Sequence, residues 1–194
     1  GQYNTAVGDQ ALDTNTSGDG NTAVGYNALE ANTTADYNTA CGYQALHNNT
    51  TGTTNTAIGY AALGANTTGD NNVAMGYNAL IATTTGSNNV AVGREAAENS
   101  VQGNGTVAIG YRALHTTTDA GYQVAIGFEA LAAMTTGSYN TAIGYRCMHN
   151  MSQNGADFNT GVGYAAMYSA TGCTKNTALG VNALYTVTDS GHNN

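Results

Sequence analysis

Proline and tryptophan are absent from this chain of 194 residues, and charge is scarce, at 8% of the sequence. Without proline, every backbone N–H can bond to a neighbour, as stacked extended segments require. Only 4 basic residues stand against 12 acidic ones, and the formal charge of -8 argues against nucleic acid and anionic membrane surfaces as partners. No apolar run reaches the ~18 residues that span a bilayer, and no basic segment followed by an apolar one opens the chain, so no membrane insertion is expected. The cysteines, Cys41, Cys147 and Cys173, are odd in number, which argues against a disulfide framework. Cys41 replaces a Val or Ile and Cys147 an Ala, so both read as small apolar fillers.

What fills the sequence instead is Asn, Thr and Gly, arranged with a period. The stretch NTAVGYNALEANTTADY at 21–37 returns every 17 residues, its central glycine falling at Gly8, Gly25, Gly42, Gly59, Gly76, Gly93, Gly110, Gly127 and Gly144. After a two-residue insertion near 149–157 it returns at Gly163 and Gly180. Such an array is a solenoid in which each repeat buries its apolar face only against its neighbours. Residues 1–194 therefore form one domain of eleven coils. The array opens three residues before an NTAVG motif and stops where a twelfth would begin, so we expect a segment of a longer fibre.

Counting positions from the glycine, −3 is always Thr or Val, −2 is Ala in ten copies, and −1 is Val, Ile or another apolar residue. β-Branched residues favour a strand, which predicts an all-β, parallel β-solenoid or β-roll about 50 Å long at ~4.8 Å per coil. Alternation puts Asn, Ala and Gly on one face (Asn21, Ala23, Gly25; Asn38, Ala40, Gly42; Asn55, Ala57, Gly59). Thr or Val, the residue before the glycine and the following tyrosine share the other face, as with Val24 and Tyr26, Tyr43, and Ile58 and Tyr60. Neither face is charged. If the larger residues fill the lumen, Ala and Gly form a smooth outer strip; if the small ones do, Val, Ile and Tyr form an apolar ladder outside. Either arrangement implies a second chain, and a homotrimer is expected. Adjacent Ala and Leu at +3 and +4, with Leu29 and Leu46 as examples, break the alternation and leave a bulge or one helical turn per coil both open. The Asn-Thr-Thr stretch reads as a turn, and the recurring Asn residues as hydrogen-bonded ladders.

NNVAVG at 88–93, GTVAIG at 105–110 and QVAIG at 123–127 resemble the head repeats of trimeric autotransporter adhesins. The longer form NTAxGYxALxxNTTG resembles repeats of phage tail fibres and bacterial surface fibres. The resemblance implies a trimeric head or shaft segment of an extracellular fibre, at a cell surface or on a virion, that mediates attachment to a receptor or glycan. The adhesin repeat is nearer fourteen residues than seventeen.

Candidate chemistry is sparse. His47, His115 and His149 share one column in separate coils, too far apart for a tight metal site, and Glu95, Glu98 and Arg94 read as a solvated cluster. We expect no reaction, no cofactor and no metal. Sequons at Asn15, Asn32, Asn48, Asn49, Asn66, Asn104 and Asn150 largely coincide with the turn motif. Receptor contact is expected around the insertion, at His149, Met151, Gln153 and Asp157. Two alternatives are an ice-binding role for the column Thr16, Thr33, Thr50, Thr67, Thr84 and Thr135, interrupted by Val101, and a filament subunit that stacks end to end.

Overall fold

A computed structural model describes residues 1–118, 121–151 and 156–188. The chain is a parallel β-solenoid. Each coil contributes one three-residue strand to an 11-stranded parallel sheet: β1 (Thr5–Val7), β2 (Thr22–Val24), β3 (Thr39–Cys41), β4 (Thr56–Ile58), β5 (Val73–Met75), β6 (Val90–Val92), β7 (Val107–Ile109), β8 (Val124–Ile126), β9 (Thr141–Ile143), β10 (Thr160–Val162) and β12 (Thr177–Leu179). Register follows the repeat, Ala23 opposite Ala40 and Ala40 opposite Ala57. Across the insertion Thr141 pairs with Thr160, so the two extra residues leave the sheet in step. A second, two-stranded sheet joins β11 (Ser169–Thr171) to β13 (Thr186–Thr188).

The small residues face inward. Ala23, Ala40 and Ala57 are fully buried, whereas Val24 and Ile58 on the same strands are 36% and 38% exposed. Across the lumen, Ala28 with Leu29 and Ala45 with Leu46 are buried in the same core. Alanine on the sheet wall leaves the narrow interior to the leucine column.

No helical turn is found among the described residues; the Ala-Leu segment is a run of turns in which the backbone hand alternates. Asn27 and Leu29 adopt φ of 53° and 51°, and the same two columns are left-handed in every coil. With the hand reversed on either side of it, Ala28 and its neighbour Leu29 both turn inward, which a strand would forbid. Left-handed geometry costs a non-glycine residue roughly 1–2 kcal/mol. Bonds to both neighbouring coils hold it in place: Asn27 N–H donates to Asp9 O and Leu29 N–H to Ala45 O, each at 3.0 Å.

Glycine at the corner is a steric requirement. At Gly59, with φ 134°, an added Cβ would lie 2.5 Å from the carbonyl oxygen of Gly76 in the next coil. Where another coil follows, the pitch of the stack is therefore closed to a side chain at this column.

Two asparagine columns line the remaining corner. Asn38 N–H donates to Asn21 Oδ1 and Asn55 N–H to Asn38 Oδ1, both at 2.9 Å, while Asn38 Nδ2 reaches Gly52 O at 2.8 Å. In the second column Asn49 Nδ2 donates to Asn32 Oδ1 and also to Gly52 O. One carbonyl thus ties the sheet edge to the turn of the same coil.

Candidate functional site

The outward face of the 11-stranded sheet is a long surface that the fold leaves uncovered. Its two strand columns hold only Thr, Val, Ile, Leu, Met and Cys, with no charge anywhere along them. Met75, Ile109 and Ile143 are 40%, 37% and 37% exposed. Cys41 also lies here and is exposed, so it fills no core, whereas Cys147 and Cys173 are buried. Burial pushes the Cys147 thiol up to about 11.

Along one margin of this face runs the aromatic column. Tyr26, Tyr43, Tyr60 and Tyr77 stack with ring centroids 4.9–5.2 Å apart. The Arg94 guanidinium lies over both Tyr77 and Tyr111 and bridges the gap in the column, which resumes with Phe128, Tyr145 and Tyr164. Inside the column each ring face is covered by the next ring, so only edges meet solvent. A sugar could not stack on Tyr43 or Tyr60.

Charged side chains pair between coils. Glu95 accepts from Arg94 Nε at 2.9 Å and from Arg112 Nε, and its side chain is only 7% exposed, so it is not solvated as expected. The cover comes from the arginines and from His115 rather than from depth in the core. The hydrogen bond from Arg112 and then that from Arg94 outweigh this partial desolvation and hold the carboxyl below its usual value. His115 meets Glu98 at 2.7 Å, His47 meets Glu30 at 3.2 Å, and Glu129 is shared by Arg146 at 2.7 Å and His149 at 3.3 Å. Glu95, Glu98 and His115 bring three potential ligand atoms within 4.8 Å of one another. With two guanidinium groups already on Glu95, that cluster is an ion-pair network that repels a further cation. Sequence reasoning missed these pairs, although the signal was present: Glu30 and His47, Glu95 and Arg112, Glu98 and His115, and Glu129 and Arg146 are each one period apart.

The described residues among those expected to contact a receptor are held in different ways. His149 stacks on Tyr168, Met151 is wholly buried, and Asp157 accepts the Ser138 N–H through its carboxylate. Gln153 lies outside the described residues. Met151 therefore cannot meet a partner from solvent. Among the sequons, Asn32, Asn49 and Asn66 are buried ladder members that no glycan can share, while Asn48, Asn104 and Asn150 are exposed.

The threonine column is likewise committed. Thr33, Thr50 and Thr67 donate their hydroxyls to the Thr50, Thr67 and Thr84 carbonyls of the following coils. A rank of hydroxyls bonded along the axis is not a rank presented to water.

Between the aromatic column and the column five residues after the glycine lies a row of side chains that fills the space: Asn27, Gln44, Asn78, Glu95, Arg112, Glu129 and Arg146. In two coils the filler is alanine, Ala61 and Ala165. Both leave a hollow, of about 260 Å³ beside Ala61 and Gly64 and about 330 Å³ beside Ala165.

Comparison with protein-family models, with curated proteins and with solved structures finds no match to this chain.

Proposed function

We propose that this chain is a structural and adhesive segment of an extracellular fibre, at a cell surface or on a virion, and that copies associate side by side through the outward sheet face, as a trimer. It carries no reaction in this reading. The observation that supports it is the uncharged sheet face, a column of Thr or Val beside a column of Val, Ile and other apolar residues, running the length of the array.

A second copy suits this face better than an unrelated partner. Eleven three-residue strands, spaced ~4.8 Å apart and about 10 Å wide, present roughly 500 Å² per copy, so two faces bury about 1,000 Å², enough for specific association. Another copy has the same pitch, so its Val and Ile ladder meets this one at every coil. The likeness of the repeats to trimeric adhesin heads and tail-fibre repeats favours three copies about one axis.

Cys41 tests this directly, since it stands on the face in question. A short bismaleimide should link copies in pairs through Cys41 into covalent dimers, since each copy offers one exposed thiol, and the product should vanish in Cys41→Val. Native Cys147 and Cys173, buried as they are, should not react. Monomeric Cys41 adducts alone would count against association through this face.

A further inference from the structure

The hollow at Ala165 lies where the long aromatic column comes to its end. Tyr164 stacks on Tyr145 at 5.1 Å, but the next residue of its column is Val181, so the stack of rings ends there. Tyr164 is 54% exposed, against 39–46% for Tyr26, Tyr43, Tyr60, Tyr77, Phe128 and Tyr145 of the same column. A parallel stack begins opposite, His149, Tyr168 and Tyr185, with Tyr168 and Tyr185 at 5.1 Å. Ala165, too short to fill the row between them, forms the floor, and Arg146 and Asn182 close the two ends.

From this geometry we infer a binding site for one neutral pyranose ring, in the cleft between Tyr164 and Tyr168 over Ala165. Its volume of about 330 Å³ suits a single sugar unit rather than an extended chain. A pyranose has an apolar C–H face and a rim of hydroxyls. The uncovered face of Tyr164 matches the first, and the phenol groups of Tyr168 and Tyr185, the Asn182 amide and the Arg146 guanidinium match the second. Neutrality follows from Glu129, which pairs with Arg146 and cancels its charge at the cleft. The hollow at Ala61 has the same origin, but it is lined by His47 and Ile81 and by no tyrosine, and His47 is engaged by Glu30.

The site lies off the sheet face. It gives the attachment role proposed above a location and rests on that role for its use, but the binding itself does not depend on association of copies. The test is saturation-transfer NMR on the whole chain with the methyl glycosides of glucose, galactose, mannose and N-acetylglucosamine. Transfer to the ring C–H protons of at least one glycoside is expected, weakened at least tenfold in Tyr164→Ala. Ala165→Gln should abolish it. Glutamine is the native residue at Gln44, in the same column and the same left-handed conformation, so this variant keeps the fold while filling the cleft. Tyr43→Ala, inside the stack, should bind as the parent does. Absence of transfer to all four glycosides, or transfer that Ala165→Gln leaves intact, would overturn the site. Either result leaves the Cys41 cross-linking outcome unaffected, so the two proposals fail separately.

Discussion

Asn55 and Asn66, from the two asparagine columns of the array, donate to the same oxygen, the Gly69 carbonyl, at 2.8 and 3.0 Å. Asn55 Oδ1 in turn accepts both the backbone N–H of Asn72 at 2.9 Å and its Nδ2 at 3.1 Å. Each of these asparagines is therefore a fixed bracket between coils, and Asn55, Asn66 and Asn72 are fully buried.

Replacing Asn55 by alanine strands the buried N–H of Asn72 without an acceptor. Loss of such a buried partner costs about 3 kcal/mol. Urea denaturation should show this loss, whereas the exposed Asn48→Ala should change stability by less than about 0.5 kcal/mol. Asn55→Asp should be worse at neutral pH, because a buried carboxylate would face the Gly69 carbonyl. Burial raises that carboxyl's pKa, so the variant should lose stability as pH rises and recover in acid.

The corner glycines separate packing from backbone strain. Gly59→Ala places a Cβ 2.5 Å from the Gly76 oxygen, whereas Gly180→Ala, at a similar φ of 123°, meets nothing within 4 Å. The conformational penalty common to both is about 1–3 kcal/mol. Thermal melts should show a markedly larger drop for Gly59→Ala. Equal drops would mean that coil spacing yields readily.

Glu95 links stability to acid. Its folded pKa is held below the ordinary 4.5, chiefly by Arg112. It therefore stabilises the fold above that value, and the contribution is lost as pH falls through the depressed one. Denaturation followed from neutral pH down to about pH 3 should show the parent losing more stability than Glu95→Gln across the carboxylate range. Parallel curves would show that the Arg112 pair contributes nothing to folding.

Much of this was legible before any coordinates. A period of 17, with Thr or Val, Ala and then Val or Ile ahead of each glycine, specifies a parallel stack in register, because a slip of one residue would expose Ala23 and bury Val24. Which face turned inward was not decidable from hydropathy, since both are uncharged; the narrowness of the lumen settles it in favour of alanine. The Ala-Leu segment was opaque for a different reason. Leucine has no local preference for positive φ, and Leu29 adopts it only because Ala45 and the other neighbours supply the bonds that hold it. The Ala165 cleft was invisible because it is an absence, a short side chain between two tyrosine columns whose alignment requires the coils to be stacked.

Light scattering after size exclusion tests the central claim, that the outward sheet face joins copies of this chain. The account predicts a mass three times the 19.7 kDa chain, reduced to that of one chain in a variant carrying both Ile58→Lys and Ile109→Lys, whose side chains are 38% and 37% exposed and so can change without disturbing the coil. A parent that runs as a 19.7 kDa monomer at high concentration, or an assembly that survives both lysines, would contradict it.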